Sequence, residues 1–128
     1  YDYYTTTKGV LEKVKAHVDD VDFAVQPEIL SLLSSGNFGR YADEKGEMKV
    51  CFISNNDITG GNSGSAMFNS KGELLGLAFD GNWEAMGSDI LYEPKMQRTI
   101  GVDVRYILFM IEKYGKAGNL IQELNILN

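Results

Sequence analysis

Apolar positions recur at two different periods along this chain, and the change of period divides it. In "KGVLEKVKAHVDD" (8–20), Val10, Leu11, Val14 and Val18 fall on one stripe with charged side chains opposite, the spacing of an amphipathic helix. "QPEILSLLSSG" (26–36) has Pro in a first turn, then Ile29, Leu30, Leu32 and Leu33, then a Gly stop, and predicts a short second helix. From Phe38 the period shortens. "EKG" (44–46) supplies a turn, and "EMKVCFIS" (47–54) reads as a strand buried on much of both faces. "SAMF" and "ELLGLAF" flank "NSKG" (69–72), a hairpin signal with Gly at the tight position. A long irregular loop is predicted for "GNWEAMGSDILYEP" (81–94), and a strand for "RTIGVDV" (98–104). "RYILFMIEKYGKAGNLIQEL" (105–124) returns to helical spacing through Ile107, Leu108, Ile111 and Tyr114, with a break near Gly115 and Gly118. Short strands with Gly-rich turns, followed by a C-terminal helix, predict a small β-barrel or half of one. Helices at both ends make the class mainly β with helical additions.

Composition narrows the picture. With 128 residues, 44% of them hydrophobic, the chain suits one globular domain, which at this length buries roughly two-thirds of its unfolded surface. A formal net charge of −6 and the lack of a basic stripe argue against a nucleic-acid partner. The longest apolar run, "YILFMI" (106–111), predicts no membrane insertion, because a spanning helix needs about 20 apolar residues. Cys51 is the single cysteine and His17 the single histidine, so neither an intrachain disulfide nor a Cys/His zinc site can be assembled from this sequence. No metal or other cofactor is expected. The opening "YDYYTTTKGV" has neither an initiator Met nor a signal peptide, and the expectation is a piece of something larger.

"DITGGNSGSA" (57–66) has little side chain to bury and much backbone freedom to lose. Two readings stand. A serine between small residues on a tight loop can project its hydroxyl into a cleft. Its own N–H and that of the residue two earlier can then converge on one oxygen, the geometry of an oxyanion hole. The nucleophile would be Ser63 and the donors the N–H groups of Gly61 and Ser63. The other reading is a surface loop, or a nest of N–H groups that binds an anion. The following hairpin favours acyl transfer: in chymotrypsin-like proteases a Gly-x-Ser-Gly loop enters a hairpin whose returning strand walls the substrate pocket, and here that strand ends at Phe79, Asp80 and Gly81. Serine also needs a base. His17 lies in a charge-rich helical segment and reads as a solvated histidine, so the base is expected upstream.

"NDITGGNSGSAMFNSKGELLGLAFDGNWEAMGSDILYEP", followed by "QRTIGVDVRYILFMIEKYGKAGNLIQEL", resembles the C-terminal catalytic segment of the bacterial dipeptidyl-peptidase 7 and dipeptidyl-peptidase 11 family. The likeness runs from "GRYAD" (39–43) to the end, "YTTTKGVLEK" also fits, and "TGGNSGS", "FDGNWE" and "QRTI.VD.RY" together are specific. The resemblance implies a serine exopeptidase of the chymotrypsin fold with an inserted helical domain, releasing dipeptides from peptide N-termini in the periplasm or at the surface of Gram-negative bacteria. On that basis the chain is the C-terminal barrel half of a double barrel: helical lead-in 1–36, barrel strands and nucleophile loop 37–104, C-terminal helix 105–128.

The resemblance further makes Ser63 the nucleophile and Gly61 and Ser63 the oxyanion donors, with His and Asp upstream. Asp80 matches an acid that helps bind the substrate's α-ammonium group; a turn residue capping its own loop is the alternative. Gly81 matches an arginine in the branch that cleaves after Asp or Glu. Glycine leaves the pocket beside Phe79 and Gly81 without a countercharge, which implies a bulky apolar residue second from the substrate N-terminus, as in dipeptidyl-peptidase 7. Asn62 replaces the Asp that trypsin-like enzymes pair with a freed N-terminus, and Ala66 stands where many members have Pro. Trp83 reads as packing rather than a substrate platform. The partners implied are peptides with a free N-terminus and the remaining part of the same polypeptide, without which this piece is expected to be inactive. A homodimer is left open for the full-length protein, and a non-catalytic binding module or an endopeptidase of the same fold are the rival readings.

Overall fold

Thr6 closes one element and opens the next. In the computed structural model, which describes residues 3–87 and 95–127, β1 spans Tyr4–Thr6 and α1 Thr7–Ala16, and the Thr6 hydroxyl accepts from the N–H of Gly9 at 3.4 Å as a helix cap. The chain divides into two compact units, one of residues up to Thr5 with Val50–Val104, the other of Thr6–Lys49 with Arg105 onward.

The first unit is built on an antiparallel sheet. Its strands are β1, β2 (Lys49–Ser54), β3 (Ala66–Phe68), β4 (Leu74–Gly81) and β5 (Thr99–Asp103), in the order β1-β2-β5-β4-β3. The predicted hairpin is present: Asn69 and Glu73 close it, and Gly72 takes φ +78° at the tight position. The predicted barrel is not closed among the described residues. Closure requires the outer strands to share a ladder, but β1 and β3 have three residues each and lie at opposite edges. Two strand glycines make room for one ring: a Cβ on Gly101 would come within 2.7 Å of Phe52 Cζ, and one on Gly76 within 2.9 Å of Phe52 Cε1. The predicted loop 81–94 proves partly ordered, since β4 runs through Gly81 and a 3-10 turn follows over Trp83–Gly87. Its remainder, 88–94, lies outside the described residues.

The second unit holds α1, a 3-10 turn at Val21–Phe23, α2 (Pro27–Ser34), a second 3-10 turn at Gly39–Tyr41, and the chain after β5. α1 ends at Ala16, four residues before the predicted stop, and Val18 is 79% exposed rather than on the apolar stripe. The aspartates explain this: Asp20 accepts from the N–H of Asp22 at 3.0 Å and caps the next turn, competing with helical bonding. In place of one C-terminal helix, α3 (Val104–Phe109) runs directly into a π-turn (Met110–Tyr114), and the break expected near Gly115 and Gly118 falls at Lys116, with φ +52°, before α4 (Gly118–Gln122).

Phe109 organises the core of this unit, with Phe38 and Tyr41 packed edge-on at 5.7 and 6.1 Å between ring centres. Tyr41 is buried in that cluster, and its hydroxyl donates to Glu112 Oε2 at 2.7 Å in a part-buried bond. Burial, followed by the hydrogen bond to Glu112, pushes Tyr41 from 10.0 up to about 12. A folded-state value above the unfolded one means stability that is complete below pH 10 and is lost as pH rises through 10–12. Tyr41→Phe should therefore flatten the alkaline limb of the unfolding midpoint against pH. An unchanged alkaline limb would mean that Tyr41 ionisation is not coupled to folding.

Candidate active site

The connection from β2 to β3 is organised by Asn62. Its Oδ1 accepts from the N–H of Thr59 at 2.9 Å and from the Thr59 hydroxyl at 3.3 Å. Its own N–H donates to the Thr59 carbonyl at 3.2 Å, and its carbonyl accepts from Ser65 at 2.9 Å. These local bonds wind the loop into consecutive turns in which Gly61 (φ +96°) and Gly64 (φ +85°) occupy backbone conformations that a Cβ would strain. Ser63 sits between them, exposed to solvent. Among the described residues, the N–H groups of Gly61 and Ser63 have no hydrogen-bond partner.

The loop leaves by docking on β4. Gly64 donates to the Ala78 carbonyl at 2.7 Å, and the Ala78 N–H donates to the Ser65 carbonyl at 2.8 Å. One residue along, the Ser63 hydroxyl donates to the Phe79 carbonyl at 3.2 Å. Phe79 is available for this because it lies at an irregularity of the ladder: Ala78 opposes Gly101, and Asp80 opposes the very next residue, Ile100. Phe79 is the extra residue of a β-bulge. Strict alternation would put Asp80 on the face of Ala78. The bulge puts it on the other face and brings Gly81, opposite Thr99, onto the face of Ala78 and Gly101 instead.

Gly81 is thereby half-buried in apolar surroundings. A Cβ added there would lie 2.8 Å from Ala85 Cβ and 3.8 Å from Ile58 Cγ2. No charged group is among these nearest atoms. Asn82 fixes the surroundings. Its N–H donates to the Arg98 carbonyl at 2.9 Å, its Oδ1 accepts from the Arg98 N–H at 2.8 Å, and its Nδ2 donates to the Met96 carbonyl at 2.9 Å and Glu84 Oε2 at 2.7 Å. Behind the loop, Phe52, Ser54, Ile58, Asn62, Met67 and Thr99 line a cavity of about 300 Å³, where the buried Ser54 hydroxyl has no partner among the described residues.

Of the residues singled out in the sequence, Ser63, Gly61, Phe79 and Gly81 thus belong to one unit, with Ser63 in hydrogen-bond contact with Phe79. Asp80 is exposed, and its Oδ1 accepts from the N–H of Gly81 at 2.7 Å, the contact expected of the capping alternative. His17 belongs to the other unit, where it stacks on Phe23 at 4.2 Å. Sequence reasoning missed Asn62 as the loop's internal brace, Asn82 as the clamp of the following turn, and Ile58 and Ala85 as neighbours of Gly81. The turn preference of asparagine beside glycine was the available signal for the first two.

Known proteins resemble this chain over nearly its whole length. The family model described as Peptidase S46 matches residues 1–126. Dipeptidyl-peptidase 7 of Porphyromonas endodontalis is 60% identical over 126 residues, covering 98% of this chain and 15% of that protein. The Asp/Glu-specific dipeptidyl-peptidase of Porphyromonas gingivalis is 46% identical over 98% of this chain and 17% of its own length. The crystal structure of Porphyromonas endodontalis DPP11 in complex with the dipeptide Arg-Glu superposes with a TM-score of 0.88 at 43% identity, over 96% of this chain and 17% of that one. The chain thus spans about one-sixth of the length of these relatives. Because that family model matches 1–126 of its 128 residues, this chain belongs to the Peptidase S46 family.

Proposed function

We propose that this chain carries the nucleophile and part of the substrate pocket of a serine dipeptidyl-peptidase that removes dipeptides with a hydrophobic second residue. The observation that carries the reading is Ser63, solvent-exposed, with its hydroxyl on the Phe79 carbonyl and with its own N–H and that of Gly61 unpaired among the described residues. The rest of the polypeptide supplies a His base and an Asp to orient it, in a chymotrypsin-like double barrel working in the periplasm or at the cell surface.

The base takes the Ser63 hydroxyl proton, which in the resting site is donated to Phe79. Ser63 Oγ attacks the carbonyl carbon of the substrate's second residue. The N–H groups of Gly61 and Ser63 hold the developing oxyanion, a contribution of about 10²–10³-fold in rate for one donor in comparable sites. The base then protonates the departing amine, the peptide bond breaks, and water releases the dipeptide from Ser63. Asp80, exposed at the end of β4, pairs with the substrate's α-ammonium once it gives up the adjacent N–H. Asn62 is spent on Thr59, so its side chain braces the loop from within and no freed N-terminus is required.

The hydrophobic preference rests on the surroundings of Gly81, where Ile58 and Ala85 are apolar. An aliphatic or aromatic group gains about 25 cal/mol per Å² buried there, whereas a carboxylate would lose hydration without a partner. The Asp/Glu branch, as the resemblance implies, answers this with arginine at the matching position.

In the full-length protein Ser63→Ala should lower kcat by about 10⁶-fold, the scale seen when a serine nucleophile is removed. Mass spectrometry of unmodified peptides should show dipeptides alone; internal cleavage products would instead indicate an endopeptidase. Gly81→Arg should raise kcat/KM for substrates with Asp or Glu in second place relative to Leu or Phe. An unmoved ratio would detach Gly81 from the pocket.

A further inference from the structure

The turn after β4 folds back onto the strand it leaves. The Cβ position of Gly81 lies 2.8 Å from Ala85 Cβ, well inside the roughly 3.5–4.0 Å at which carbon atoms rest against each other. Ala85 Cβ is one bond from the main chain and cannot swing aside as the tip of a long side chain would. Nor is that main chain loose. The Ala85 N–H donates to the Asn82 carbonyl at 2.9 Å, and the Asn82 side chain is tied to Glu84, Met96 and Arg98 at 2.7–2.9 Å. On the other flank Ile58 Cγ2 is 3.8 Å from the same point and the Arg98 carbonyl 3.9 Å, both ordinary contacts. The methyl of Ala85 is therefore the tight wall of this space.

We propose that Ala85 is a specificity-determining residue: its methyl, clamped over Gly81 by Asn82, limits the size of the side chain accepted there and keeps position 81 free of any side chain of its own. The proposal rests on the reading of Gly81 as part of the pocket for the substrate's second residue. It adds that the two positions act as a coupled pair, so that filling one demands emptying the other. Specificity then cannot be changed fully at position 81 alone, because a new side chain there must first displace a hydrogen-bonded turn. Gly81→Arg gains its carboxylate preference more strongly when Ala85→Gly accompanies it.

The test is a double-mutant cycle in the full-length enzyme, comparing Gly81→Ala, Ala85→Gly and the pair against the parent. kcat/KM is measured on reporter substrates carrying Ala, Leu or Phe in second place, with unfolding midpoints recorded in parallel. Gly81→Ala should depress the Phe-to-Ala ratio about tenfold, and the pair should restore most of it, a coupling in the range of residues in direct contact. Ala85→Leu, which leaves Gly81 untouched, should depress the same ratio and so covers the case in which Gly81→Ala fails to fold. Effects of the two single changes that simply multiply, or an Ala85→Leu enzyme with the parent ratio, would overturn the role of Ala85. If Gly81→Ala folds and the ratio stays at the parent value, the pocket assignment itself fails, a different outcome from a ratio that moves without relief by Ala85→Gly.

Discussion

Two main-chain hydrogen bonds, from Gly64 to the Ala78 carbonyl and from Ala78 to the Ser65 carbonyl, anchor the loop that the functional reading depends on. A loop with three glycines has much conformational entropy to lose. Its ordering comes from being wound around Asn62 at one end and bonded to β4 at the other. With both attachments in place, Ser63 is confined to one short stretch of chain next to the residue where β4 departs from regular pairing.

The bulge at Phe79 does three things at once. It leaves a carbonyl at the irregular position for the Ser63 hydroxyl, it turns Asp80 to the opposite face from Ala78, and it places Gly81 beside Ile58 and Ala85. An uninterrupted strand would exchange the faces of Asp80 and Gly81, putting a carboxylate beside Ile58 and Ala85. One inserted residue therefore sets both the charge and the room at this point of the candidate site.

The elements with long, consistent periods were legible in the sequence. α2 was announced by its Pro and its leucines, the β3–β4 hairpin by "NSKG", and β2 and β5 by their apolar runs. β1 was not, because three residues, Tyr4–Thr6, carry no measurable period. The break in the helix after β5 was legible from Gly115 and Gly118; the π-turn before it was not, because it depends on backbone bonds that apolar spacing does not encode. Closure of the sheet was inferred from strand number and turn composition, and neither fixes which strands pair. At the candidate site, Ser63, Gly61, Phe79, Asp80 and Gly81 were singled out by motif and resemblance. Ala85 and Ile58 did not, since their nearness to Gly81 arises only after the bulge and the turn are in place.

Ser63 as the reacting group is the centre of this account. Treating the full-length protein with a fluorophosphonate and locating the modified peptide by mass spectrometry tests it most directly. The account requires a single adduct on the peptide containing Ser63, formed in step with loss of dipeptide release. An adduct on another residue accompanying complete inactivation, or full inactivation with Ser63 unmodified, would contradict it.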